Sequence, residues 1–114
     1  MRRLAAPVVI ALLLAAPAAA TRAPTAGEQK QIELAVRFFP TVGRQNTVTF
    51  TRVRVSTADT RYASALATVG PAGRIAAVAK HGKTWQVIIL GTPPLRCTAV
   101  PAQVRADLGP AVCR

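Results

Sequence analysis

The chain has 114 residues, 51% hydrophobic but only 4% aromatic, and its 15 Lys and Arg face 4 Asp and Glu for a formal charge of +11. That length holds one small domain and excludes a multidomain enzyme. The apolar content excludes a disordered tail, and the presence of one long apolar run excludes a polytopic membrane protein.

Residues 1–20, MRRLAAPVVIALLLAAPAAA, read as a secretory signal peptide. Arg2 and Arg3 form a cationic start, Leu4 to Ala16 an unbroken apolar stretch, and Ala18-Ala19-Ala20 the small residues that signal peptidase needs. As a membrane anchor the run is short of the about 20 residues of a spanning helix, and Pro7 and Pro17 interrupt it. No Cys follows it to carry a lipid. Cleavage after Ala20 removes Arg2 and Arg3 and no acid, so the charge of +11 becomes +9 for residues 21–114, read as a single small α+β domain.

In chain order, Thr25-Ala26-Gly27-Glu28 matches a capping box. Ile32, Ala35, Val36 and Phe39 follow at helical spacing, and Pro40 stops the helix, which is expected over about Ala26 to Phe38. Gly43 to Asn46 is turn material. Thr47 to Ser56 is rich in β-branched residues, but its alternation slips phase: Val48 and Phe50 are even, Val53 and Val55 odd. A straight strand cannot bury both pairs on one face, so a bulge is expected near Thr51–Arg52. Further strands are expected over Arg61 to Val69, Arg74 to Ala79 and Lys83 to Leu90, with a hairpin tip at His81-Gly82. In the last strand Trp85, Val87 and Ile89 are assigned to one face and Ile88 and Leu90 to the other, as in a central strand. The expectation is one amphipathic helix packed on a three- to four-stranded antiparallel sheet.

Cys97 and Cys113 are the two cysteines, and export would place them in an oxidising compartment, where they can form one bridge. Their spacing is far from C-x-x-C, which leaves a structural disulfide worth about 3 kcal/mol. Between them Val100 to Gly109 reads as a short helix, with Pro101 in its first turn and Gly109 just past its end.

Catalysis is not expected, and neither is a cofactor or metal. His81 sits beside Gly82 at a hairpin tip, a poor place for a positioned base. Glu28 serves the helix cap, and Asp59, three residues after Ser56, is suited to binding turn amides. Phosphate loops, nucleophile elbows and metal-ligand spacings do not occur.

The surplus of positive charge points to anionic partners: a cell-wall polymer, lipid headgroups or an acidic protein. Arg52, Arg54, Arg61 and Arg74 are the candidate ligand-binding residues, the first two sharing one face of a strand. Nucleic acid is disfavoured, because stacking aromatics are nearly absent. A different class of function comes from Gly91-Thr92-Pro93-Pro94-Leu95-Arg96-Cys97, a proline-stiffened loop that could present Arg96 to a protease as an inhibitor.

Val53 to Ala63, the run Trp85-Gln86-Val87-Ile88 before Gly91, and Cys97, Val104 to Leu108 and Cys113 together resemble small secreted proteins of actinobacteria with no assigned function. The predominance of Arg over Lys agrees with a high-GC genome. The resemblance implies an extracellular or wall-associated compartment and the fold above, and it brings no catalytic residue. The expected molecule is a secreted monomer that does not span the membrane once cleaved.

Overall fold

The computed structural model describes residues 21–43 and 47–114, so the leader expected at residues 1–20 and most of the turn expected at Gly43–Asn46 lie outside the described residues. The first element is helix α1, Ala26–Arg37. Its capping box is complete: the Glu28 amide donates to Thr25 Oγ1 at 3.1 Å and the Thr25 amide to Glu28 Oε1 at 2.9 Å. Ile32 and Val36 are fully buried, and Phe38 closes the helix with its amide on the Leu34 carbonyl.

Four strands follow, β1 (Val48–Val55), β2 (Tyr62–Val69), β3 (Gly73–His81) and β4 (Trp85–Gly91), antiparallel throughout and in the order β1-β2-β3-β4. A 3-10 turn, Gly70–Ala72, joins β2 to β3, and Gly73 leaves it at φ 104°, a conformation that favours glycine. The expected bulge is present: Phe50 pairs with Ala67 and Arg52 with Leu66, which leaves Thr51 over. Val48, Phe50, Val53 and Val55 therefore all reach the same core. The backbone of Arg22 pairs with Val55 and covers the end of the β1 edge.

The middle of the sheet is covered on both faces, and the strand period of two sorts the residues between them. Ala63, Ala65, Ala67, Val69, Ala77, Ala79 and Trp85 lie under α1 with Ile32 and Val36. Small side chains on the two central strands let the helix approach closely, while its most extensive packing is on β4. Tyr62, Leu66, Ala76, Val78 and Ile89 face the opposite way and are covered by Leu95 to Cys113. This covering segment contains helix α2, Ala102–Leu108, which begins after Pro101 and stops at Gly109, φ 89°. Cys97 and Cys113 form the expected disulfide, with an S–S distance of 2.04 Å. The molecule is thus α+β, with a helix on one face and a disulfide-closed segment on the other.

Two expectations about the last hairpin are corrected. β4 is an edge strand, and a second bulge breaks its alternation: Val78 pairs with Ile89 and Ala79 with Val87, which leaves Ile88 over. Trp85, Val87 and Leu90 consequently face α1, Ile89 faces the disulfide side, and Ile88 is exposed. The continuous apolar run Val87 to Leu90 gives no phase from which to read that break. β3 also runs on through His81, so the tip consists of Gly82 to Thr84.

Candidate binding surface

All four acidic side chains are engaged inside the domain. Glu28 holds Arg22 through two parallel bonds, 2.8 and 2.9 Å, and the guanidinium, aided by the Thr25 amide, lowers the carboxyl pKa from 4.5 to about 2. Glu33 accepts from Gln29 at 2.8 Å and lies 4.0 Å from Arg37. Asp59 binds the Arg61 guanidinium at 2.8 and 3.1 Å and accepts from the Arg61 amide, which together lower it to about 2.

The fourth acid, Asp107 of α2, is buried beneath the β1–β2 turn. Its Oδ2 accepts from Ser56 Oγ at 2.7 Å, the Thr57 amide at 2.7 Å and the Ala58 amide at 3.3 Å. The Ser56 hydroxyl oxygen in turn accepts from the Ala58 and Asp59 amides. This turn is therefore held by one carboxylate and one hydroxyl, and Asp59 contributes by binding the Arg61 amide within it.

The four candidate arginines do not form one cluster. Arg61 is spent on Asp59 at the turn. Arg54 is half-buried and donates to Thr21 Oγ1 at 3.0 Å and to the Thr21 carbonyl at 2.7 Å, so it fastens the N-terminal segment along β1. Arg52 and Arg74 are exposed on the sheet face opposite α1, the bulge having turned Arg52 away from the core. Arg52 pairs across with Leu66, and Arg74 with Thr68, which also pairs with Thr49. Strand spacing and rise put the two arginines about 12 Å apart. No carboxylate reaches either of them among the described residues. The part of this face left open by the disulfide segment is therefore a plane of threonine hydroxyls carrying two unneutralised guanidinium groups.

Lys80 lies on the same face, at the far end of β3, with its ammonium 5.5 Å from the centre of the Tyr62 ring. Arg105 is turned inward to the Val100 and Cys97 carbonyls. Arg96 is exposed between two buried neighbours, Leu95 and Cys97. Leu95 donates its amide to the Val112 carbonyl and accepts from the Arg114 amide, and the Pro93–Pro94 bond is cis. Thr92, Pro94, Thr98 and Ala99 are exposed as well, so the segment alternates open and buried side chains around Arg96.

The sequence reading overlooked the groove beside α1. His81 is half-buried, not free at a tip: it pairs with Trp85 across β3–β4, and the two rings meet edge to face at 5.1 Å. The strand period contained this signal, since Ala77, Ala79 and His81 share the parity that points at α1. A groove of about 490 Å³ runs between Leu34, Ala35 and Phe38 on the helix and Trp85, Lys83 and Thr84 on the hairpin. A second, of about 340 Å³, continues it past Gln31 and His81 towards Arg22 and Glu28. Among the described residues no three His, Cys, Asp or Glu side chains are placed to share a metal ion, and no helix is long and apolar enough to cross a membrane. No protein-family model matches the chain, and neither does any curated protein or solved structure.

Proposed function

We propose that this protein is exported and serves, without catalysis, as a binding module for anionic components of the cell envelope. One observation carries the reading. Every acidic side chain is committed to a partner within the domain, so none is left to neutralise Arg52 or Arg74. Arg52 and Arg74 are the strongest candidates for contact, because they are exposed, share a face and are flanked by the hydroxyls of Thr49 and Thr68. Guanidinium groups bind phosphate and carboxylate through paired N–H bonds, and hydroxyls add donors beside them. The Cys97–Cys113 disulfide suits an oxidising compartment, and the leader and the likeness to small secreted actinobacterial proteins support the same location. The monomer is part of this proposal: a net charge this high opposes self-association.

The test follows the protein through wall, membrane and medium fractions of the producing cells over a salt series. Retention in the envelope at low salt and release as salt rises is expected, because exposed charges are screened. Arg52→Glu/Arg74→Glu is expected to release the protein at low salt. Recovery in the medium at every salt concentration would overturn the reading.

A further inference from the structure

We infer that the α1 face bearing Leu34 and Phe38 is a second contact surface, which docks on a bilayer containing anionic lipid. Phe38 is 70% exposed and Leu34 41%, and both line the groove above Trp85. A large aromatic side chain held open at a helix end loses the burial that normally stabilises it, whereas the same helix buries Ile32 and Val36 completely. Leu34 and Phe38 are four residues apart and therefore neighbours on the helix surface, a short apolar ridge beside the groove.

Charge selects the occupant. Lys30 lies one turn before Leu34 and Lys83 lines the opposite wall, both exposed, whereas Arg37 is held near Glu33 and over the Phe50 ring. The acid on this part of the helix, Glu33, is already engaged by Gln29 and Arg37. An apolar ridge flanked by two lysines matches the boundary between acyl chains and anionic headgroups, where the ridge enters the chains and the lysines meet the heads. A second copy of this chain fits poorly, since it would bring the same positive charge against this surface. The inference rests on the proposal that the protein works at the envelope, and it narrows the partner on this face to lipid. The face is separate from Arg52 and Arg74, which lie on the other side of the sheet.

The experiment uses the protein as an exporting host releases it. It is sedimented with vesicles of phosphatidylglycerol and phosphatidylcholine in equal parts, and with vesicles of phosphatidylcholine alone. Binding to the anionic vesicles only is expected. Leu34→Ala/Phe38→Ala should weaken it about tenfold or more, the factor that loss of one buried apolar side chain represents. Phe38→Leu, which keeps an apolar ridge, should bind like the parent. Trp85 is the only tryptophan, so quenching of its fluorescence by phosphatidylglycerol with brominated chains should report acyl chains at the groove. Equal binding by parent and double alanine variant would overturn the inference, as would equal binding to both vesicle types. Absence of vesicle binding would overturn it too. If the protein then still shows salt-dependent retention on cell walls, the charged-face proposal stands without it. Capture by an acidic peptide in place of vesicles would assign the face to a protein partner instead.

Discussion

Asp107 and Ser56 are 51 residues apart in the chain, yet their side chains meet at 2.7 Å in the interior. One carboxylate oxygen there collects three donors, the Ser56 hydroxyl and the Thr57 and Ala58 amides, the last shared with Ser56 Oγ. Removing it strands buried donors, which costs far more than the net worth of a surface hydrogen bond. Asp107→Ala is therefore expected to lower unfolding free energy by about 3 kcal/mol in a denaturant titration. Asp107→Asn should lose less, since the other carboxylate oxygen has no hydrogen-bond partner and the amide can leave its own oxygen where Oδ2 was. Glu28 gives a prediction in pH. Its folded pKa is lowered from 4.5 to about 2 by Arg22 and the Thr25 amide. A depressed carboxyl pKa contributes stability that is fully present above the unfolded value and is lost as pH falls through the folded one. The start of α1 should thus loosen between about pH 4.5 and about pH 2, visible in amide exchange of the first helical turn, and Glu28→Gln should flatten that dependence.

At the scale of elements, two covers hold one sheet from opposite sides, and each has its own weak point. α1 is pinned by Ile32, fully buried over the alanines of β2 and β3. Ile32→Ala is expected to cost about 2–5 kcal/mol by calorimetry or denaturant titration. The other cover is closed by Cys97–Cys113. Reduction should cost about 3 kcal/mol in unfolding free energy, measured with and without reductant. It should also raise amide exchange over α2 before the sheet opens, because that segment is packed through Cys97, Val104 and Cys113. Much of this scale was legible in the sequence. The capping box, the apolar stripe and Pro40 place α1 to within a residue, and the phase slip between Phe50 and Val53 locates the Thr51 bulge. β4 shows where such reading ends. Four consecutive apolar residues fit either face, so only pairing with β3 decides that Ile88 is passed over and Ile89 crosses to the disulfide side.

For the whole molecule, the unpaired surface charge is positive because the four acids are all paired within the domain. If the arrangement of that charge matters and not merely its sum, two variants of equal net charge should differ. Arg52→Glu/Arg74→Glu should abolish retention in the wall fraction, whereas Arg96→Glu/Arg114→Glu should leave most of it, as read from the salt concentration of release. The sequence alone determined the sign and size of the charge, the helix and its cap, the first bulge and the cysteine pair, since each rests on composition or on residues close in the chain. The tertiary structure decided which arginines are available. Arg54 is taken by Thr21 across 33 residues, while Arg52 and Arg74 come to one face because β2 lies between their strands. It also placed Asp107 under Ser56, and His81 and Trp85 beside the exposed Phe38. Contacts of this kind depend on chain reversals far apart in sequence, and no local pattern of residues encodes which two segments will meet.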